Sequence, residues 1–381
     1  MGKIFYSVAG EGRGHATRVK TVVEELKSEH DIVLFAPHVA FDFLSQIYQW
    51  DARVEVRKIP GLQFCYSGRR VSYLQSVTKS IPYLWELSQL VNQFELAIRQ
   101  EQPDLMITDF EPALPRAAKR LGLPFVSFDH QHFLTAFDLS TLPWPLWLKA
   151  QSIAASINLF YCGQQETIVS SFFSLPLRKR CKNVTSVGVL LRRELMLASP
   201  RDEQHLLVYL RRFAPPRLMA ALRACGRDVF IYGLGDQPRD GNLCFFDVDE
   251  SGFIDDLVNC HALITNSGNQ LVGEALSLRK PVLVMPEEGN FEQAVNAHFL
   301  TKTGCGIGYD ARSFTADDLS NFLEQVPELR LRINPDSVIG NGRAFEAIRR
   351  YLPPPVSRPA EVAEVTEVTG LAEIARLTRV G

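Results

Sequence analysis

His15 closes a stretch of alternating glycines, Gly10-Glu11-Gly12-Arg13-Gly14-His15, that follows the apolar run at 3–8 and precedes a helical pattern at 16–28. Glycines at such a turn admit positive φ and let a ligand approach the backbone. An imidazole beside them, titrating near ~6.5 as a free group, suits proton transfer close to neutrality. The spacing excludes the two familiar phosphate loops: His15 stands where the third glycine of G-x-G-x-x-G belongs, and no Gly-Lys-Ser/Thr follows. Glu11 would repel a phosphate cradled there. His15 is the leading candidate for a general base. Asp109 and Glu111, just past an apolar strand, are rivals on the same rim, and Glu11 is a fourth candidate, as base or as partner to His15. A plain strand-to-helix turn is the competing reading of the local stretch.

A second constellation lies at 261–300, "HALITNSGNQLVGEALSLRKPVLVMPEEGNFEQAVNAHFL". A strand ends at Thr265, and Asn266-Ser267-Gly268-Asn269-Gln270 opens a helix. Free amides and a dipole equivalent to roughly +0.5 charge make a helix start an anion site. Gly268 admits a ligand to the backbone, while Ser267, Asn269 and Gln270 offer neutral hydrogen bonds. Glu274, two turns after Asn266, is placed to accept from ribose hydroxyls. After the next strand, Glu292 and Gln293 open another helix, pairing a carboxylate with an amide as a polyhydroxylated sugar requires. Phosphate, ribose and sugar groups would thus meet at the carboxyl ends of adjacent strands, where open α/β sheets bind ligands.

These residues need two sheets to hold them. Strands are expected at 3–8, 31–36, 53–59, 104–108, 124–128, 157–162 and 183–188, then at 205–210, 228–232, 243–246, 261–265, 281–285 and near Gly306. Helices alternate with them, among them 16–28, 72–101, 112–121, 215–225, 252–258, 269–278, 290–302 and 315–325. Apolar strands separated by helices predict parallel sheets covered on both faces, and two such series predict an α/β chain of two doubly wound, Rossmann-like domains facing across a cleft. The division expected is 1–190 for the first, acceptor-side domain, 191–204 for a linker and 205–340 for the second, nucleotide-sugar domain. A helix at 341–352 returns to the first domain, and 353–381, rich in Pro, Val and Glu, reads as a flexible tail.

Composition narrows the function. With 41 Lys and Arg against 43 Asp and Glu, the net charge is -2 over 381 residues, which excludes a nucleic-acid footprint. Seven scattered cysteines without a C-x-x-C pair suit reduced thiols and a cytoplasmic setting. No apolar stretch reaches the ~18–20 residues of a membrane span. Asp247-Val248-Asp249 spells D-x-D but follows a strand of the second series and reads as solvated loop, so no metal site is expected. His130 and His132 lack carboxylate partners at ligand spacing.

The second half resembles the donor-binding half of GT-B glycosyltransferases, both the bacterial lipid-linked N-acetylglucosaminyltransferases of peptidoglycan synthesis, with a family-28-like C-terminal domain, and the UDP-glycosyltransferases. Gly268 lies six residues before Glu274, and Glu292-Gln293-Ala294-Val295-Asn296-Ala297 repeats their sugar-contact layout. "GFIDDL" (252–257) is similar to their uracil turn, which would place Phe253 and Ile254 at the base. "GEGRGHATR" (10–18) and "PDLMITDFEP" (103–112) resemble a branch of GT-B proteins whose glycine–histidine loop faces the cleft. Gly12 and Gly14 would then bring backbone to the reacting phosphate. "YLRRFAPP" (209–216) departs from the family's glycine-rich loop, and Arg211 and Arg212 are the candidates to replace its amides at the diphosphate.

The resemblance implies transfer of a hexosyl or N-acetylhexosaminyl group from a UDP-sugar to a hydroxyl acceptor, with inversion and no required cofactor. The acceptor is lipid-linked, a glycan or a small aglycone. Aromatic residues at 130–160 suggest peripheral membrane contact by the first domain. A UDP-N-acetylglucosamine 2-epimerase-like isomerase and a non-catalytic nucleotide-sugar binder are the alternatives.

Overall fold

Residues 2–10, 13–61, 66–67, 70–71, 73–160, 163–211, 213–247 and 249–353 are described by a computed structural model. The first half runs β1 (Lys3–Val8), α1 (Arg13–Leu26), β2 (Asp31–Ala36), α2 (His38–Tyr48) and β3 (Val54–Lys58), then a small ribbon of β4 (Tyr66–Ser67) and β5 (Arg70–Val71). It continues through α3 (Tyr73–Glu101), β6 (Leu105–Asp109), α4 (Ala113–Arg120), β7 (Val126–Asp129), α5 (Phe133–Ala136), α6 (Trp144–Phe160), β8 (Glu166–Ser170) and β9 (Val184–Val187). The short α7 (Arg193–Met196) lies in the connection. The second half holds β10 (Leu206–Tyr209), α8 (Pro216–Ala224), β11 (Val229–Tyr232), β12 (Leu243–Phe246), α9 (Glu250–Asn259), β13 (Ala262–Thr265), α10 (Asn269–Ser277), β14 (Val282–Val284), α11 (Phe291–Thr303), β15 (Gly306–Gly308) and α12 (Ala316–Arg332), and α13 (Asn341–Arg349) follows.

Two parallel sheets result. The first has strand order β3-β2-β1-β6-β7-β8-β9 and the second β12-β11-β10-β13-β14-β15. Their strands are apolar on both faces because helices cover both. In β1, Ile4, Tyr6 and Val8 pack with Val19, Val22 and Val23 of α1, while Phe5 turns to the other face and meets Phe35, itself in edge contact with Phe94 of α3. Full burial of each such side chain contributes about 1.5–3 kcal/mol. Strand order reverses between β1 and β6 in one sheet and between β10 and β13 in the other, and loops leaving those strands diverge to open a crevice.

The strands differ from expectation at three places: β8 and the β4–β5 ribbon were not expected, and the described part of 157–162 is not a strand. Residues 157–160 complete α6 rather than begin a strand, because Ala150, Ala154 and Ile157 lie on one buried helical stripe. A short apolar run fits either period, and only the preceding turns decide it.

The chain crosses between the sheets twice, and the crossings are bonded to each other. Val189 N–H donates to Val338 O at 2.8 Å, Gly340 N–H to Val189 O at 2.8 Å, and the Asn341 side chain exchanges two hydrogen bonds with Leu191. Backbones approach so closely that a Cβ on Gly188 would stand 2.0 Å from Val338 O. α13 then buries Ala344, Phe345, Ala347 and Ile348 against the first sheet. A continuous apolar cluster also spans the halves, with Phe173 stacked on Phe299 at 4.7 Å. Residues 354–381, expected as a flexible tail, lie outside the described residues.

Gly188→Ala is expected to lower the free energy of unfolding by about 1–3 kcal/mol, since backbone must yield to the added methyl. Denaturant titration of the two chains checks this, and unchanged stability would contradict the close crossing.

Candidate active site

Asp109 ends β6 beside β1, at the carboxyl edge of the first sheet, and is fully buried. α1 leaves the end of β1 and carries His15 and Arg18 three residues apart, hence on one face. Both side chains converge on the carboxylate. Arg18 donates from Nε to Oδ2 at 2.9 Å and from Nη2 to Oδ1 at 2.7 Å, while His15 Nδ1 lies 2.7 Å from Oδ1. Burial works against the Arg18 charge, but Asp109 beside it holds the guanidinium above its usual range. An ionised carboxylate cannot donate, so the 2.7 Å contact places the His15 proton on Nδ1. That leaves the Nε2 lone pair directed at the cleft, where Gln131 Nε2–H donates to it at 3.2 Å.

Gln131 also reaches the second half, donating to Glu292 Oε2 in the first turn of α11 at 3.1 Å. His130 beside it is buried, donates from Nδ1 to Ser170 O at 2.9 Å, and has Nε2 3.2 Å from the Asn296 side chain. Burial pushes the His130 ring below its ordinary value. His132 is held by Asp129 at 2.6 Å. His15, Glu292 and the carboxamide between them thus come from α1, α11 and the turn after β7.

Facing α1 is the start of α10. Gly268 is its N-cap, exposed, with open space where a Cβ would be, and Gly14 of α1 approaches Gln270 closely enough for a Cβ to lie 3.7 Å from it. Two helix N-termini therefore meet across the cleft, and their first-turn amides make the junction attractive to an anion. Ser267 holds φ 70, the left-handed region that non-glycine residues seldom enter. Around this junction Gln131 Oε1, Ser267 Oγ and Gln270 Oε1 are buried without a hydrogen-bond partner, a rare condition for polar atoms.

Several expected ligand residues are already engaged with protein. Asn269 clasps the first half, accepting from Phe172 N at 3.1 Å and donating to Ser170 O at 3.2 Å. Gln270 donates to Leu190 O at 2.6 Å and to Glu274 at 3.0 Å. Glu274, expected at the ribose, is buried and paired with Arg192 at 2.8 Å; Arg192 also meets Glu250, which Lys20 of α1 approaches at 3.0 Å. Gln293 accepts from Glu287 N at 2.7 Å and so fixes the loop before α11. "GFIDDL" lies in α9, in line with the helix expected at 252–258; Phe253 is core, in edge contact with Tyr209 and Tyr232, and Ile254 packs partly buried, past the amides a helix start leaves free.

Glu111 is also corrected. Buried, it accepts from the amides of Ala113 and Leu114 at 2.7 and 3.0 Å and so closes the start of α4 instead of facing the cleft. Asp109 orients His15 from beneath and is too enclosed to meet an acceptor itself. Arg211 N–H donates to Asn266 at 3.1 Å at the end of β10. Glu11, Gly12 and Arg212 lie outside the described residues. Asp249 caps α9, accepting from Gly252 N at 2.7 Å, and among the described residues no three His, Cys, Asp or Glu side chains are grouped to hold a metal ion. No described helix is long and apolar enough to cross a membrane. Arg18, Gln131 and Arg192 were not singled out in the sequence; the i, i+3 spacing of His15 and Arg18 was the one available signal.

Residues 2–327 match the sequence profile of glycosyl transferase family 1. The fold is that of GT-B glycosyltransferases. The glycosyltransferase of kitacinnamycin superposes with a TM-score of 0.65 at 16% identity, covering 92% of this chain and 99% of that one. For MurG of Acinetobacter baumannii the values are 0.57, 14%, 92% and 100%. For UGT71G1 of Medicago truncatula, solved with UDP-glucose, they are 0.60, 13%, 91% and 98%. Among curated proteins, the ecdysteroid UDP-glucosyltransferase of Lymantria dispar multicapsid nuclear polyhedrosis virus is 38% identical over 68 residues, 18% of this chain and only 13% of that protein.

Arg18→Met strands the Asp109 carboxylate and is expected to cost about 3–5 kcal/mol of stability, whereas His15→Ala should change stability far less; equal losses in denaturant titrations would contradict the ion-pair geometry. Burial holds the Glu111 carboxyl above its ordinary range. Its contribution to stability is therefore complete below about pH 4.3 and is lost as pH rises through the raised value. Glu111→Gln should flatten that part of the stability–pH profile.

Proposed function

The chain belongs to glycosyl transferase family 1 and is a glycosyltransferase; we propose that it moves a hexosyl or N-acetylhexosaminyl group from a UDP-sugar to a hydroxyl acceptor, with inversion and without a bound metal. The observation that carries this reading is His15, its Nδ1 proton held by Asp109 and its Nε2 linked through the Gln131 carboxamide to Glu292 of the opposite half. The acceptor O–H donates to His15 Nε2. As the acceptor oxygen bonds the anomeric carbon, its proton passes to the imidazole, and the bond from that carbon to the diphosphate oxygen breaks with its electron pair leaving on UDP. Asp109 stabilises the imidazolium that forms. Arg18 already balances part of the Asp109 charge.

The diphosphate is assigned to the mouth of α10 at Gly268, opposite Gly14, where amides and helix dipoles oppose the developing charge. Preorganised donors of this kind contribute about 2.7–4 kcal/mol each in known cases. Glu292 is assigned to the transferred sugar. UDP as the nucleotide is supported by the UDP-glucose named for the plant neighbour. Exposed Trp85, Trp144 and Leu148, with Trp144 stacked on Trp147, support an apolar or lipid-linked acceptor and a peripheral membrane contact.

In a thermal-shift screen of nucleotide sugars, the true donor at 100 times its Kd should stabilise the chain by ~2.7 kcal/mol. His15→Ala should slow transfer by about 10²–10⁴-fold with donor binding retained. Turnover in excess EDTA should persist. Response to no UDP-sugar, or undiminished transfer by His15→Ala, would overturn the reading.

A further inference from the structure

Gln131 is the one described side chain that bonds both the base candidate and the sugar-side carboxylate. Its Nε2 lies 3.2 Å from His15 Nε2 and 3.1 Å from Glu292 Oε2, and its Oε1 is buried with no partner. The turn after β7 fixes this placement: His130 on one side is anchored to Ser170 O and Asn296, and His132 on the other to Asp129. The carboxamide therefore spans the gap that an acceptor hydroxyl must enter to reach His15, with a buried oxygen that an O–H or N–H donor would satisfy.

We propose that Gln131 reads the hydroxyls of the transferred sugar and positions the two reacting partners. In this role, which rests on the reading above, Oε1 accepts from a sugar hydroxyl while one N–H stays on Glu292. The acceptor O–H then replaces the other N–H at His15 Nε2. Until that exchange, the Gln131 bond keeps the imidazole lone pair aimed at the cleft, so the residue acts on chemistry through His15 and on specificity through direct contact. UDP alone, lacking the sugar, does not engage it.

The test compares UDP with the UDP-sugar that most stabilises the wild-type chain, by calorimetric titration, and follows UDP release with water or acceptor as nucleophile. Gln131→Ala should leave UDP affinity within about two-fold, weaken UDP-sugar affinity by about ten-fold, the loss expected of a hydrogen bond to a buried group, and slow turnover. Gln131→Glu places a second carboxylate 3.1 Å from Glu292. When ionised it repels Glu292 and offers a sugar hydroxyl beside it a strained pair, so its UDP-sugar affinity should fall below that of Gln131→Ala at pH 8 and recover as pH falls and the pair shares a proton. The role is overturned if Gln131→Ala binds the UDP-sugar as the wild type does, if it loses UDP and UDP-sugar affinity equally, or if Gln131→Glu follows Gln131→Ala at every pH. Absence of UDP-sugar binding by the wild-type chain would instead sink the functional reading, and this role with it.

Discussion

A carboxylate with no access to water needs a cation, and Asp109 has Arg18. Removing such a pair's partner leaves an uncompensated charge in a low-dielectric interior, so the pair dictates what surrounds it. It fixes how α1 docks on the edge of β6, because Arg18 reaches the carboxylate with two donors in a rigid fork. It fixes the proton on His15, because the remaining face of the same oxygen accepts from Nδ1. The direction of Nε2 then follows. Strand order supplies the rest: β1 and β6 flank one topological reversal, β10 and β13 the other, and the two reversals face each other.

The second half answers with polarity rather than charge. Its contribution is the mouth of α10, where Gly268 stands exposed, and the first turn of α11, where Glu292 faces Gln131. Around them Asn269, Gln270, Glu274 and Gln293 are committed to backbone or to Arg192. Those bonds join the halves or brace the loops. A ligand at this junction meets main-chain amides, the Glu292 carboxylate and three orphaned oxygens, a set suited to an anion followed by hydroxyls.

Alternation of apolar strands with helices made most of both sheets legible in the sequence, since parallel strands covered on two faces leave runs of Val, Ile, Leu and Phe; β8, Glu-Thr-Ile-Val-Ser, holds only two such residues and was hidden. His15 stood out in the sequence because it follows three alternating glycines at the end of a strand, and it meets Asp109 at the carboxyl edge of the first sheet. Motif spacing proved less reliable for side-chain roles: Gly268 and Glu274 keep the expected separation, yet the carboxylate is turned to Arg192, a residue that in sequence is merely one charge in a linker. Phe253 reads equally as a base platform or as core, and two tyrosines from neighbouring strands decide it. Gln131 was hidden between two histidines, and its contact with Glu292 exists only once α11 is brought opposite the turn after β7.

The paired crossings at 188–191 and 338–341 have a mechanical meaning. Two covalent links bonded edge to edge make one joint, and Val189, Leu191 and Val338 beside it belong to the same apolar cluster as the Phe173–Phe299 stack. Any displacement of one half against the other must therefore bend both links together and disturb the apolar cluster that joins them.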